Sequence, residues 1–459
     1  FLLVPPVSAQ APDRSFDGGP NGTGTSWHVP ENWNPDGVPS SGEYVSPSNA
    51  NVSVTFDVSI AGLQCGTSAG TDVSVADGTQ LAVSAGMEGC EIENQGTVVV
   101  TGGDLDQAYV AGDTLRLSGM VNINSPFADQ GARVEVTWTL QSLIAPTATN
   151  FELGSGATLV NTGTIEEYIE ISTPPSGSYG TPDPFPIFTN ETSGTYRGGD
   201  VNTLFTNHGT VDIPEGQQFS FYAPDVWDGT FTIGADALLD VKSTPNTNAA
   251  GYNFDGLTIT GTGSVQFDGL PGSVPLPNAT YDLDPESGGT TILGGTTLSF
   301  PSSMTLNSLG KVVELQGSRS FPTTVTLDVE ATIPDLTMDS DVTLAGSGDL
   351  TLASAIDLNG TIQGARSVTV DAGVTGDIST LTLLGGTAVT YNAATESSGR
   401  LNLDMGDGTS FTNNGTLTYN GSVEILPTGS ITTPPVFQNP GLLHINTTRA
   451  SQIGVDFQN

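Results

Sequence analysis

Basic residues are scarce in this chain: 10 Lys plus Arg stand against 49 Asp plus Glu, a formal net charge of −39. A field of that sign repels nucleic-acid phosphates and anionic membrane surfaces, so neither is an expected partner. Cations, structural Ca²⁺ above all, are the expected small ones. Charge of either sign is thin, 13% of 459 residues, and the long stretches rich in Lys, Glu, Arg and Leu that build a helical or α/β enzyme are missing. Histidine is limited to His28, His208 and His444, with no HExxH, no CxxC and no close histidine pair, which argues against a transition-metal site. There is no G-x-S-x-G elbow in a strand-turn-helix context, no P-loop and no dinucleotide fingerprint. Lys242 and Lys311 are the lysines, too few cations for a lyase of acidic sugars.

Long apolar runs are also missing. After the opening "FLLVPPVSAQA" no stretch reaches the 18 or so apolar residues of a membrane-spanning helix. The opening itself reads as the end of a secretory signal, with cleavage expected after Ala11. The two cysteines fit export. Cys65 and Cys90 lie 25 positions apart, about one coil of the repeat described next, where stacking would allow a disulfide. The alternative is a pair of buried thiols.

What the chain does have is Gly, 58 of them, 29 Pro, and one recurring turn followed by a short apolar strand. The turn is Asn-x-Gly-Thr, in "IENQGTVVV" (92–100), "LVNTGTIEE" (159–167), "LFTNHGTVDI" (204–213) and "FTNNGTLTY" (411–419), with a degenerate copy in "VFQNPGLLHI" (436–445). Asparagine spacings of 67, 46 and 26 approximate three, two and one coils of roughly 22 to 26 residues. A turn that returns at multiples of a coil marks the corner of a parallel β-solenoid, and tandem β-sandwich domains are the alternative. At such a corner Asn is expected to tolerate the left-handed conformation and stack in a side-chain ladder, Gly to supply a positive φ, and Thr to restart the strand.

The expected organisation is a signal remnant at 1–11, a cap at 12–50 and a solenoid over 51–268. A Pro-rich insertion at 172–200 interrupts that solenoid, a Pro/Gly-rich loop or joint follows at 269–289, and the solenoid continues over 290–459. In the cap, Trp27 and Trp33 flank a Pro-Asp-Gly turn and would cover the open apolar end of the first coil. This "W…NW…VP" block followed by Asn-x-Gly-Thr coils resembles the start of many bacterial exported β-helix surface proteins, autotransporter-like and adhesin-like. The resemblance implies an all-β, right-handed parallel β-helix with a structural or adhesive role at the cell surface. It implies no catalytic residue. The expected partners are further copies of the chain in a fibre or layer, from the repeat, or surface glycans, from the aromatics described next.

Chemistry has two candidate locations. Carboxylate pairs such as Asp104 with Asp106, Asp282 with Asp284 and Asp339 with Asp341 could serve a glycoside hydrolase. Aromatics gather between Tyr168 and Phe231, and Tyr196, Phe221, Tyr222 and Trp227 are candidates for a glycan-stacking platform, the alternative being that they pack the insertion. Sequons such as Asn190 and Asn278 follow from the Asn- and Thr-rich turns. The expected function is therefore an exported structural or adhesive solenoid without enzymatic activity; a carbohydrate-binding protein or glycoside hydrolase on the same scaffold is the alternative.

Overall fold

The computed structural model describes residues 12–20, 24–47, 51–65, 73–88, 90–106, 109–124, 127–129, 133–136, 139–142, 149–153, 157–165, 169–172, 186–222, 224–242, 252–270, 272–447 and 450–459. The chain divides into two units, Phe1–Val211 and Asp212–Asn459. The signal-like segment 1–11 lies outside the described residues, as do Tyr168 and Phe185. Each unit is a parallel β-solenoid. Among the described residues the one helical segment is a single 3₁₀ turn, Pro30–Asn32, and no helix is long and apolar enough to cross a membrane.

In the first unit Val52–Val54 pairs with Val73–Val75, Val58–Ile60 with Gln80–Val83, and Gly62–Gln64 with Gly86–Glu88, all parallel. The long strand Glu91–Asp106 then lies beside all three in turn. One strand following three successive faces is the signature of a coil, and it excludes separate two-sheet sandwiches. The second unit repeats it: Leu350–Gln363 pairs with Ala331–Met338 and Val342–Ala345 on one side, and with Ser367–Val370 and Thr375–Leu384 on the other. Alternate residues of each strand point inward, so the pattern buried, half-buried, buried recurs, as in Val52–Val54 and Leu401–Met405. Each fully buried Val, Leu, Ile or Phe contributes on the order of 2 kcal/mol, and rows of them form the core.

The cap forms as its aromatics require. Trp27 and Trp33 are both fully buried, their rings 4.8 Å apart at 68°, and Phe16 meets Trp33 edge-on at 5.0 Å. Trp33 donates its indole N–H to the Trp27 carbonyl at 2.8 Å. Arg14–Phe16 runs antiparallel to Trp33–Asn34 and parallel to Tyr44–Ser46, so the edge strand of the first coil is covered. Cys65 and Cys90 form a disulfide between neighbouring coils.

The Asn-x-Gly-Thr corner differs in mechanism from the expectation. Asn161, Asn190 and Asn207 are fully buried at the ends of the strands Thr158–Asn161, Ile187–Asn190 and Leu204–Asn207. Asn161 Nδ2 donates to Asn190 Oδ1 and Asn190 Nδ2 to Asn207 Oδ1, both at 2.8 Å, and each amide also reaches a strand carbonyl at 3.1 Å, of Thr195 and Thr210 respectively. The second unit has the same ladder from Asn413 to Asn439 at 2.7 Å and on to Asn459 at 3.0 Å. None of these asparagines is left-handed; among the described non-glycine residues only Asp236 (φ 56°) and Asn278 (φ 52°) are. Gly209 and Gly415 of the motif also lack a positive φ. Their requirement is space: a Cβ on Gly415 would fall on the Ala393 carbonyl, and one on Gly209 on the carbonyls of Glu191 and Gly194. The preceding coil passes too close for any side chain.

Coils are also less uniform than 22 to 26 residues, since ladder partners are 29 positions apart from Asn161 to Asn190 and 17 from Asn190 to Asn207. Corners absorb the difference while strands keep their register. Of the two segments expected as loops, 269–289 is largely coil, and so is the described part of 172–200. Within 172–200, Ile187–Asn190 and Thr195–Tyr196 pair with Thr158–Asn161 and Thr164–Ile165, and 173–185 lies outside the described residues. Within 269–289, Ser273–Pro275 pairs with Thr297–Phe300 and Thr280–Leu283 with Thr258–Gly261, and Val274, Leu276, Tyr281 and Leu283 are buried. Pro275 fits because Leu276, its neighbour, donates its N–H to Ser299, which turns the proline nitrogen to the side opposite that ladder.

Candidate functional site

The expected aromatic platform does not form. Tyr196, Phe221 and Trp227 are fully buried inside their coils, where a sugar cannot reach them. In the first unit the single Tyr196 hydroxyl proton is shared between the carbonyls of Ile169 (3.0 Å) and Gly199 (2.9 Å), a corner-holding role, and burial raises its pKa well above the usual phenol value. In the second, Trp227 packs on Phe231 at 4.5 Å, Phe254 at 5.3 Å and Phe221 at 5.4 Å. The reason is strand alternation: Phe221 points in and the next residue, Tyr222, points out. Tyr222 is the half-exposed member, with Lys242 Nζ 5.7 Å from its ring centroid.

Several carboxylates share a job, also at corners. Asp57 accepts from Gln80 N at 2.9 Å, Asp328 from Ser347 N at 2.9 Å, and Asp349 from Ser367 N at 2.9 Å, each tying one coil to the next. Asp339 accepts from Gly317 N at 3.2 Å and Asp284 from Glu286 N at 2.9 Å; backbone donors lower the Asp284 pKa, as they do for Asp407. Asp104 and Asp106 lie on Glu91–Asp106, but their side chains are outside the described residues. Among the described residues no three His, Cys, Asp or Glu side chains converge as a metal-ligand set. His28 accepts the Phe56 N–H on Nε2 at 3.2 Å, and partial burial lowers its pKa; His444 is exposed.

A concavity that sequence reasoning missed lies in the second unit, a cavity of about 270 Å³ lined by residues 306–309 and 330–332 with Asp349 and Thr351. Its origin is a fault in the ladder. Thr305–Leu309 pairs with Thr280–Leu283, but Tyr281 stands opposite Leu306 and Asp282 opposite Ser308, so Asn307 is an extra residue. Among the described residues no ladder joins the other edge of Thr305–Leu309 to Ala331–Met338. Ala331 through Ile333 pairs only away from it, with Leu350 through Leu352, and Ala331 N donates to Asp349 O at 3.0 Å. Two strand edges therefore face each other across an open seam. Because Ala331 stands opposite Leu350, the preceding residues Glu330 and Asp349 sit side by side on adjacent coils, both exposed. No known protein family, curated protein or solved structure matches the chain.

Proposed function

We propose that this chain is an extracellular structural or adhesive β-solenoid of a cell surface. The observation that carries this reading is the repeated axial brace. The sequence spends its recurring motif on joining coil to coil, through the asparagine ladders and, in the second unit, through Phe411, Phe437 and Phe457 stacked at 5.4 and 5.8 Å. Continuity of the stack is what a scaffold or display protein needs. The Cys65–Cys90 disulfide supports export, since such bonds persist in oxidising compartments. Self-association into a fibre or layer extends the proposal.

The experiment is secretion of the full chain followed by electron microscopy, light scattering across Ca²⁺ and pH, and adhesion to glycan-coated and bare surfaces. Filaments, layers or specific adhesion support the reading; dispersed particles that adhere to nothing sink it. A carbohydrate-active protein is the second reading, favoured by the open seam in the second unit. Release of reducing sugar from a bound glycan would decide for the hydrolase form.

A further inference from the structure

We propose that the open seam between residues 306–309 and 330–332 binds one sugar residue of an uncharged glycan, and so supplies the contact through which the adhesive reading, on which this inference rests, would act. Shape comes first. About 270 Å³ is room enough for a hexose ring rather than for a lone water. A bare cation would instead need six to eight oxygens drawn in to about 2.3–2.6 Å. Glu330 and Asp349 are two carboxylates, and no third acidic or histidine side chain joins them among the described residues.

The lining chemistry matches hydroxyls. The facing edges of Thr305–Leu309 and Ala331 through Ile333 present backbone N–H and C=O groups with no ladder across the seam, and such groups require partners. A sugar hydroxyl is donor and acceptor at once, so it can bond either kind. Glu330 and Asp349 only accept, and paired hydroxyls of one ring donate to carboxylates in the stronger charge-assisted geometry. The exposed Asn307 amide adds a donor and an acceptor, and half-exposed Leu306 offers an apolar surface to the C–H face of the ring.

Charge selects among sugars. Like charges on adjacent strands destabilise a sheet, and here both line the cavity, Asp349 with one carboxylate oxygen already held by Ser367 N. Together with a net charge of −39 they disfavour uronic or sulfated sugars, which leaves the uncharged ones.

The test uses the full chain on an array of neutral and acidic glycans, followed by calorimetric titration with the corresponding methyl glycosides, with and without Ca²⁺. At least one neutral glycoside is expected to bind, with its acidic counterpart tenfold or more weaker. Glu330→Gln and Asn307→Ala should each weaken binding tenfold or more, Thr332→Trp should block it, and Thr382→Ala on another face should leave it unchanged, all at unaltered melting temperature. Absence of neutral-glycan binding, equal binding by the seam variants, or heat from Ca²⁺ alone overturns the proposal. Surface adhesion, measured in parallel, separates the two ideas: seam variants that adhere like the parent sink the sugar site and leave adhesion standing, whereas a parent that adheres to nothing sinks the adhesive reading itself.

Discussion

The side-chain amide of Asn161 donates to Oδ1 of Asn190 at 2.8 Å across 29 sequence positions, with both residues fully buried. Asn190 passes the bond on to Asn207, so it is the middle rung of three. Replacing it by Ala removes an acceptor for Asn161 and a donor for Asn207 and leaves both groups buried. The expected cost of Asn190→Ala is about 2–3 kcal/mol, read as a lower urea midpoint at unchanged slope. A loss below about 0.5 kcal/mol would mean that the ladder is decoration rather than a brace.

The glycine of the motif makes a sharper demand. Gly415→Ala must displace the Ala393 carbonyl, because the new Cβ has no other position, and a cost of about 3 kcal/mol or failure to fold is expected. Gly373 has open space around its Cβ direction and no positive φ, so Gly373→Ala should be neutral or gain a few tenths of a kcal/mol. Equal thermal denaturation of the two variants would refute the steric account.

Cys65 and Cys90 are 25 positions apart, so their bond restricts the unfolded chain of the first unit. Reduction, or the Cys65→Ser variant, should lower stability by about 3 kcal/mol. Denaturation with and without reductant measures it, and the Ser variant should no longer respond to reductant.

Much of this architecture is legible in the residues, and the gaps have physical causes. The turn motif locates corners because its glycine requirement is strict. Asn190 escapes it, since "NETSGT" places two additional residues between Asn and Gly-Thr. The strand before the corner would have found it: Phe188-Thr189-Asn190 repeats as Phe205-Thr206-Asn207 and Phe411-Thr412-Asn413, with ring and amide both inward. Proline content misled at 269–289, because a proline whose nitrogen faces away from a ladder costs that ladder nothing. Nor does composition separate Phe221 from Tyr222; register does. The seam is the least legible feature, since it depends on one extra residue, Asn307, that becomes extra only once the neighbouring strand is in place.

Alkaline pH should unfold the second unit. Burial, the largest influence in each case, raises the phenol pKa of Tyr281, Tyr391 and Tyr419 above the ordinary value. Below an unfolded pKa of about 10 all three are protonated in both states, and their contribution is complete. Above it the unfolded chain loses protons that the folded chain keeps, so stability declines by up to about 1.4 kcal/mol per pH unit for each tyrosine. Urea midpoints should be flat below about pH 9 and fall above about pH 10. Tyr419→Phe should reduce that slope while losing the 2.8 Å bond to the Ile378 carbonyl. Tyrosinate absorbance rising with an ordinary midpoint in the intact fold would contradict the burial argument.

Arg366 carries the strongest single-site expectation. Only 3% exposed, it donates Nε to the Gly346 carbonyl at 3.1 Å and Nη2 to the carbonyls of Leu327 at 2.7 Å and Ala345 at 2.5 Å, so one guanidinium gathers three carbonyls contributed by two earlier turns of the coil. Burial lowers its pKa while nearby Asp328 and Asp349 oppose the shift. Gly346 belongs to the same arrangement, because at φ +113° it brings its carbonyl to the Arg366 Nε and a Cβ there would collide with the guanidinium. Arg366→Met keeps most of the volume but strands carbonyls that water cannot reach, at a cost of about 3 kcal/mol or more. Arg366→Lys keeps the charge but offers one compact ammonium where a planar fork is needed, so most of that loss should remain. Hydrogen exchange in Thr323–Leu327 and Val342–Ala345 should accelerate in both variants, and full rescue by lysine would show that charge, rather than the geometry of the fork, holds this corner.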